Sequence, residues 1–306
     1  MVMNFYDQIA ENKKMTYFLF GAFFLLIGTL AFLFSYLLGG FNIYGLTYFT
    51  IFGILIILFA VISYFSCDSI VAAVSGAKEV SKEEYKQLYN IVEELSLAGG
   101  VPMPKIFVIN DSAINAFATG RDPSHAIICI TTGSLNRLNR DEVQGVIAHE
   151  LSHIKNYDVR TMTFATVLVG VAVLLSDMLL RFTIFSGGRG SDSRDNKLFI
   201  PILIIALILA ALTPLIANLI KLSISRKREF MADASAVELT RNPLGLASAL
   251  EKISNDDEPL EAANKATAHL YISDPLKNSK GLWFKSMFST HPPLEERINA
   301  LKGIKN

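Results

Sequence analysis

Hydrophobic positions along this chain fall into two unlike arrangements: long runs without charge, and shorter stretches in which apolar residues recur at helix or strand spacing. No Asp, Glu, Lys or Arg occurs from Met15 to Cys67, 53 consecutive positions. A helix crosses the hydrocarbon core of a bilayer with about 20 residues. The run therefore predicts two membrane spans, near Tyr17–Leu38 and Tyr44–Ser66, reversed at Gly39-Gly40-Phe41-Asn42. A second pair is predicted at Thr161–Leu180, broken only by Asp177, and at Leu198–Ile220, where Pro201 and Pro214 predict bends. An even number of spans returns the chain to its starting side. This divides it into residues 1–67 (an N-terminal segment and first hairpin), 68–160 (the first part of a globular domain), 161–220 (the second hairpin) and 221–306 (the rest of that domain). Lys13, Lys14, Lys155, Arg160, Lys221 and Arg226 flank the spans on the shared side, which the positive-inside rule makes the cytoplasm. Arg181, Arg189, Arg194 and Lys197 border the opposite loop, so a second hairpin only partly inserted, or shielded by protein, is the alternative.

The globular stretches read as α+β. Ser81 and Glu84 have capping-box spacing, and Tyr85, Leu88, Ile91, Val92 and Leu95 keep a helical period up to Gly99-Gly100. Lys105–Ile109 and Ala126–Ile130 are short strand-like runs, with Asn115-Ala116-Phe117-Ala118 between them and a turn at Gly120-Arg121-Asp122-Pro123. Composition strengthens the membrane reading: 51% of residues are hydrophobic and 18% charged, against about 25% charged in an ordinary soluble domain. The formal net charge is zero, which gives no global attraction to nucleic acid. Cys67 and Cys129, without C-x-x-C spacing, exclude a disulfide scaffold and a thiolate zinc ribbon.

The chemistry concentrates on one helix. Asn139 and Glu142 form a capping-box pair ahead of Arg140–Asn156, where Val143, Ile147, Leu151 and Ile154 form an apolar stripe. His149-Glu150-Leu151-Ser152-His153 lies on the same helix, and its two histidines project together from another face, flanked by the small residues Gly145 and Ser152. Two neutral imidazoles one turn apart can chelate one Zn²⁺, and the intervening Glu150 can serve as general base toward water. A catalytic zinc usually takes a third protein ligand. Glu229, in Ser225-Arg226-Lys227-Arg228-Glu229-Phe230-Met231-Ala232-Asp233, is the candidate, with Asp233 one turn on as the acceptor that fixes a histidine tautomer. The competing reading pairs both acids with Arg226, Lys227 and Arg228 on a solvated face. The second hairpin favours ligation, because it returns the helices bearing His153 and Glu229 to one membrane surface. His291, in Thr290-His291-Pro292-Pro293, and Arg297 are candidates for stabilising an oxyanion; His291 reads equally as a residue at a helix start. His125 and His269 have no partner spacing.

HELSH, then SRKREFMAD after a hydrophobic hairpin, with NAFATG upstream and THPP downstream, resembles the HtpX-type membrane metalloproteases, relatives of the CAAX prenyl endoproteases. Phe230 stands where that family often has tyrosine. The resemblance implies a gluzincin-like zinc protease domain built around two transmembrane hairpins. It implies one zinc per chain on His149, His153 and Glu229, with Glu150 activating water. It also implies a multi-pass protein of the cell (inner or plasma) membrane that hydrolyses misfolded or damaged membrane proteins at the cytoplasmic face. Asn115, Ala116, Phe117 and Ala118 would then be an exposed edge strand to which an extended substrate adds. A prenyl-peptide protease, and a non-enzymatic membrane scaffold with a structural zinc, are the alternative functions.

Overall fold

The computed structural model describes residues 41–164, 226–262, 267, 270–273 and 292–304, individual helical positions between 10 and 35, and residues 181, 204 and 208. Helix α1, Ile43–Val74, is capped at its start by the Asn42 side chain, which accepts from the amides of Tyr44 and Gly45. Strand β1 (Lys78–Glu79) leads to helix α2 (Lys86–Gly99), which ends on Gly100 in the left-handed conformation at φ 63°. Ser81 and Glu84 do contact one another as their spacing predicts, but on a turn that precedes α2 rather than at its first residue. Strands β2 (Lys105–Ile109), β3 (Ala116–Gly120) and β4 (Ala126–Thr131) follow. A short helix α3 (Thr132–Arg137) connects them to α4 (Arg140–Lys155). Beyond the second hydrophobic stretch come α5 (Arg226–Thr240), α6 (Pro243–Ser254) and α7 (Leu294–Lys302).

Among the described residues the sheet has the order β1-β2-β4-β3, with β2 and β4 parallel and both outer pairings antiparallel. Its two faces enter different cores. Ile106, Val108, Ile128 and Ile130 point toward α2 and α4, whereas Ile109, Phe117, Ile127 and Cys129 pack with Val71, Ala72 and Met162. Burial on both faces is why β2 and β4 read as unbroken apolar runs rather than alternating ones. The end of α1 is thereby fixed to the back of the sheet, where Arg121 Nη1 also donates to the Phe65 carbonyl at 2.8 Å.

Among the described residues no helix is long and apolar enough to cross a membrane. Within α1 the side chains at positions 52, 56, 59, 60 and 63 are outside the description, so no continuous apolar span is traced through it. Most of the second predicted hairpin, His269, His291 and the Gly39-Gly40 reversal also lie outside the described residues.

Helix α4 is the centre of the domain. Its capping box is complete, with Glu142 accepting from the Asn139 amide at 2.7 Å and Asn139 accepting from the Glu142 amide at 3.0 Å. Gly145 has a different purpose from the one its position suggests: it opens space for α6, not for the histidines. A Cβ there would sit 2.7 Å from the Leu246 amide nitrogen and 2.8 Å from its Cα, both backbone atoms. Gly145→Ala therefore has to push α6 away from α4, and we expect a loss of about 1–3 kcal/mol, read as a lower melting temperature of the purified protein. A melting temperature equal to that of the parent would show that α6 yields freely.

Glu142 also receives bonds from Ser248 at 2.6 Å and Lys252 at 2.7 Å, both on α6. Burial by itself raises this carboxyl, but the Lys252 and Ser248 bonds outweigh it and hold the group below its ordinary value of 4.5. A depressed carboxyl contributes stability that is present above the unfolded-state value and is lost as pH falls through the folded one. Glu142→Gln should consequently cost about 1–2 kcal/mol at pH 7 and progressively less below pH 4.5. Unfolding midpoints of both proteins across that range check it; a constant difference would mean that the carboxylate charge contributes nothing.

Candidate metal centre

Three helices far apart in sequence bring their polar residues to one buried point. Helix α4 presents His149, Glu150 and His153; α5 presents Glu229 in its first turn and Asp233 one turn later; α7 presents Arg297. None of these side chains is more than 6% exposed, and Arg297 is completely buried. Stripe geometry explains the approach: Val143, Ile147, Leu151 and Ile154 hold α4 in the main core, leaving the histidine face to meet α5.

The sequence-selected ligands converge. His149 Nε2 and His153 Nε2 are 3.1 Å apart, and the Glu229 carboxylate lies 3.7 Å from the first and 3.6 Å from the second. Nitrogen and oxygen ligands about 2.0–2.1 Å from a tetrahedral zinc stand roughly 3.3 Å from one another, so the three donors already have the right spacing. Among the described residues this is the group of donors able to hold a metal ion. Asp233 Oδ1 is 2.9 Å from His149 Nδ1, which turns Nε2 of that ring toward the cluster.

Charge gives an independent test of fit. Glu150, Asp158, Glu229 and Asp233 are four carboxylates at most 3% exposed. Two guanidiniums stand against them: Arg297, and Arg228 at 3.6 Å from Asp158. With every acid ionised and both imidazoles neutral, as metal ligation requires, these groups sum to a charge of −2, which one divalent cation would balance. The imidazoles register the same field. Burial, aided by Arg297, pushes His149 down to about 4 in spite of Asp233. In His153 burial acts in that direction too but is overcome by the Asp158 bond and the charges of Glu229 and Glu150, so the ring is pushed up to about 9. A field that holds a proton on a buried imidazole is one a metal cation would answer. Burial raises the Asp233 carboxyl, yet Arg297 prevails and brings it to about 2.

The structure redirects two expectations. Arg297, read as an oxyanion candidate, gives its Nε and Nη2 to both Asp233 oxygens at 2.8 and 2.7 Å, and Nη1 to the Ile272 carbonyl at 3.3 Å. Its donors are thus committed to the protein beside the donor cluster. Asn115–Ala118, expected as an exposed edge strand, is at the sheet's edge but buried at every position. The reason is the segment Leu270–Ser273: the Ile272 amide donates to the Ala116 carbonyl at 2.9 Å, and Tyr271 packs edge-on against Phe117 at 4.9 Å. Leu270 and Ile272 also join His149, Glu150, His153 and Ala118 around a cavity of about 10 Å³, the room of about one water.

Sequence reasoning missed one contact of the cluster. Asp158 Oδ2 is 3.0 Å from His153 Nδ1, the counterpart of Asp233 on the other histidine. Its only signal in the sequence was an acid five residues past His153. His125, by contrast, belongs to a capped turn with Asp122 at 2.8 Å, and Cys67 and Cys129 are free buried thiols.

Comparison with known proteins identifies the family. A model described as peptidase family M48 matches residues 82–305. A protease HtpX homolog of Thermoanaerobacter pseudethanolicus is 44% identical over 301 residues, spanning 98% of this chain and 97% of its own. One from Dictyoglomus turgidum is 46% identical over 301 residues, spanning 97% of this chain and 94% of its own. The crystal structure of S. mikatae Ste24p superposes with a TM-score of 0.48 at 22% identity, over 96% of this chain and 66% of that longer one. With the family model covering nearly three quarters of the sequence and these relatives matching almost end to end, the chain belongs to peptidase family M48.

Proposed function

We propose that this M48 peptidase is a multi-pass membrane zinc endopeptidase that degrades misfolded or damaged membrane proteins at the cytoplasmic face. The observation that carries the proposal is the buried convergence of His149, His153 and Glu229, with the two histidines and Glu150 lining an adjoining cavity. His149, His153 and Glu229 would hold one zinc per chain. When bound, zinc supplies Lewis acidity to the scissile carbonyl and acidifies water. Glu150 takes a proton from the attacking water and delivers it to the departing amine. Asp233 keeps the proton of His149 on Nδ1, and Arg297 keeps Asp233 ionised and in place. The peptide would run beside β3. Ala116 and Gly120 turn backbone groups outward, to Ile272 and Thr163 respectively, and strand alternation turns Ala118 the same way, toward the cavity. Backbone pairing of that kind registers a scissile bond while tolerating many side chains, which suits a quality-control protease.

Membrane attachment rests on the uncharged stretch from Met15 to Cys67 and on α1. Ile54, Leu55, Ile57 and Leu58 along it are each more than half exposed. Such a surface is costly in water and favourable in lipid. The substrate class follows the resemblance to HtpX-type proteases.

Glu150→Gln keeps both imidazoles and removes the base. It should therefore retain one zinc per chain and lose activity on unfolded casein by about 10²-fold or more. Metal analysis beside kcat/KM decides this, and a fully active Gln variant would sink the general-base role.

For topology, single cysteines placed at Ser254, which is exposed, and at Ser191 should label from opposite sides of sealed vesicles, with buried Cys67 and Cys129 silent. Ser254 is expected to react from the cytoplasmic side. Reaction from outside overturns the orientation, and protection of Ser191 from both sides establishes the shielded hairpin in place of a full crossing.

A further inference from the structure

Asp158 belongs to neither motif that supplies the donor cluster, yet its two oxygens face two separate parts of the chain. Oδ2 is 3.0 Å from His153 Nδ1, Oδ1 is 3.6 Å from Arg228 Nη1, and the side chain is 2% exposed. A residue beyond the end of α4 reaches back to it because Tyr157 is left-handed, at φ 60°, with its amide bonded to the Ile154 carbonyl at 3.1 Å. Glycine is the usual occupant of such a position, and another residue costs about 1–2 kcal/mol. A turn of this sort persists where the surroundings over-determine it, and the buried Asp158 contacts do so. Arg228 immediately precedes Glu229 in the first turn of α5.

We propose that Asp158 is a positioning residue that clasps the helix bearing His153 to the start of the helix bearing Glu229, so that a single carboxylate orients one donor and locates another. Accepting the Nδ1 hydrogen leaves Nε2 as the free donor; the opposite tautomer would aim a hydrogen into the cluster. Drawing Arg228 inward sets where α5 begins, and with it the carboxylate of Glu229. The clasp closes where α4 runs into the second hydrophobic stretch and where α5 emerges from it. Loop-closure entropy makes that pair of chain ends costly to hold together unless a contact at the base retains them.

This inference rests on the zinc-site reading, and its test separates the two. Zinc affinity is measured by competition with a chelator for the full-length protein in detergent, alongside the melting temperature of the metal-free form and KM for a peptide. Asp158→Ala should weaken zinc binding by about 10 to 100-fold with KM unchanged. Asp158→Asn should restore most of that loss, because the amide oxygen still accepts from Nδ1. Arg228→Gln should weaken zinc binding in the parent and add nothing in either Asp158 variant, since it acts through the carboxylate. If Asp158→Ala does not fold, the Asp158→Asn and Arg228→Gln pair carries the same test. Zinc binding by Asp158→Ala within about threefold of the parent, or additive effects of the two substitutions, overturns the clasp while His153→Ala still empties the site. Retention of zinc by both His153→Ala and Glu229→Ala overturns the zinc reading itself.

Discussion

Ionised groups taken out of water must be answered by opposite charge and by hydrogen bonds, and this requirement organises the molecule. Around His149 and His153 lie Glu150, Asp158, Glu229, Asp233 and Arg297, all nearly or wholly buried. Removing one partner from such a group leaves a buried charge uncompensated, at about 3–5 kcal/mol. No single element completes the set. Helix α4 brings the imidazoles and Glu150, α5 brings Glu229, Asp233 and Arg228, and α7 brings Arg297, so the arrangement exists only when three helices from the two ends of the domain have docked. Arg297 shows the dependence most clearly. Among the described residues it is the largest fully buried side chain, and its position between Asp233 and the Ile272 carbonyl fixes α7 and the Leu270–Ser273 segment at once.

Helix α4 was legible because several levels of its sequence agree. The capping box, the apolar stripe and the H-E-x-x-H spacing each point to one helix with two faces, and the helix runs from Arg140 to Lys155. Glu229 and Asp233 were legible for a related reason: two acids one turn apart repel unless something cationic or a donor N–H sits between them. What the sequence could not disclose are contacts made by residues with no periodic signature. Asp158 depends on a left-handed tyrosine, which no pattern announces. Gly145 looked like room for the histidines, but the atoms it accommodates belong to a backbone about 100 positions away. The covering of β3 was hidden likewise, since Tyr271 and Ile272 lie in a stretch without strand or helix spacing.

The hydrophobic N-terminal stretch is tied to this centre through the sheet. Val71 and Ala72, in the last turns of α1, pack behind the strands whose other face receives α4. A rigid sheet thus stands between α1 and the cluster. Thr16 and Thr161 share a hydrogen bond at 2.9 Å, and Phe20 packs on Phe164 at 4.5 Å, so the beginnings of both hydrophobic stretches are also in contact. Orientation of α1 in a bilayer would therefore fix the orientation of the donor cluster, without a flexible linker between anchor and chemistry.

Size sets the remaining constraint. A cavity with room for one water beside Glu150 holds a small nucleophile but not the extended backbone that a peptidase must receive. The outward side of β3 is the neighbouring surface with backbone groups to offer, and part of it is taken. Ile272 donates to Ala116, while Asn115 Nδ2 donates to the Ser273 carbonyl at 3.3 Å. For a peptide to pair along β3, Leu270–Ser273 must leave. Two neutral hydrogen bonds of this kind are worth about 0.5–1.5 kcal/mol each, and the charged one from Arg297 Nη1 to the Ile272 carbonyl about 1.5–3 kcal/mol; an arriving peptide remakes only the Ala116 backbone bond in kind. Burial of Tyr271 against Phe117 adds an obstacle of similar size, since an aromatic side chain gains about 1.5–3 kcal/mol by leaving water. A substrate that places an apolar side chain over Phe117 offsets that cost directly, whereas a polar one does not. If substrate pairs along β3 as proposed, displacing Leu270–Ser273 would therefore cost less for an apolar segment than for a polar one.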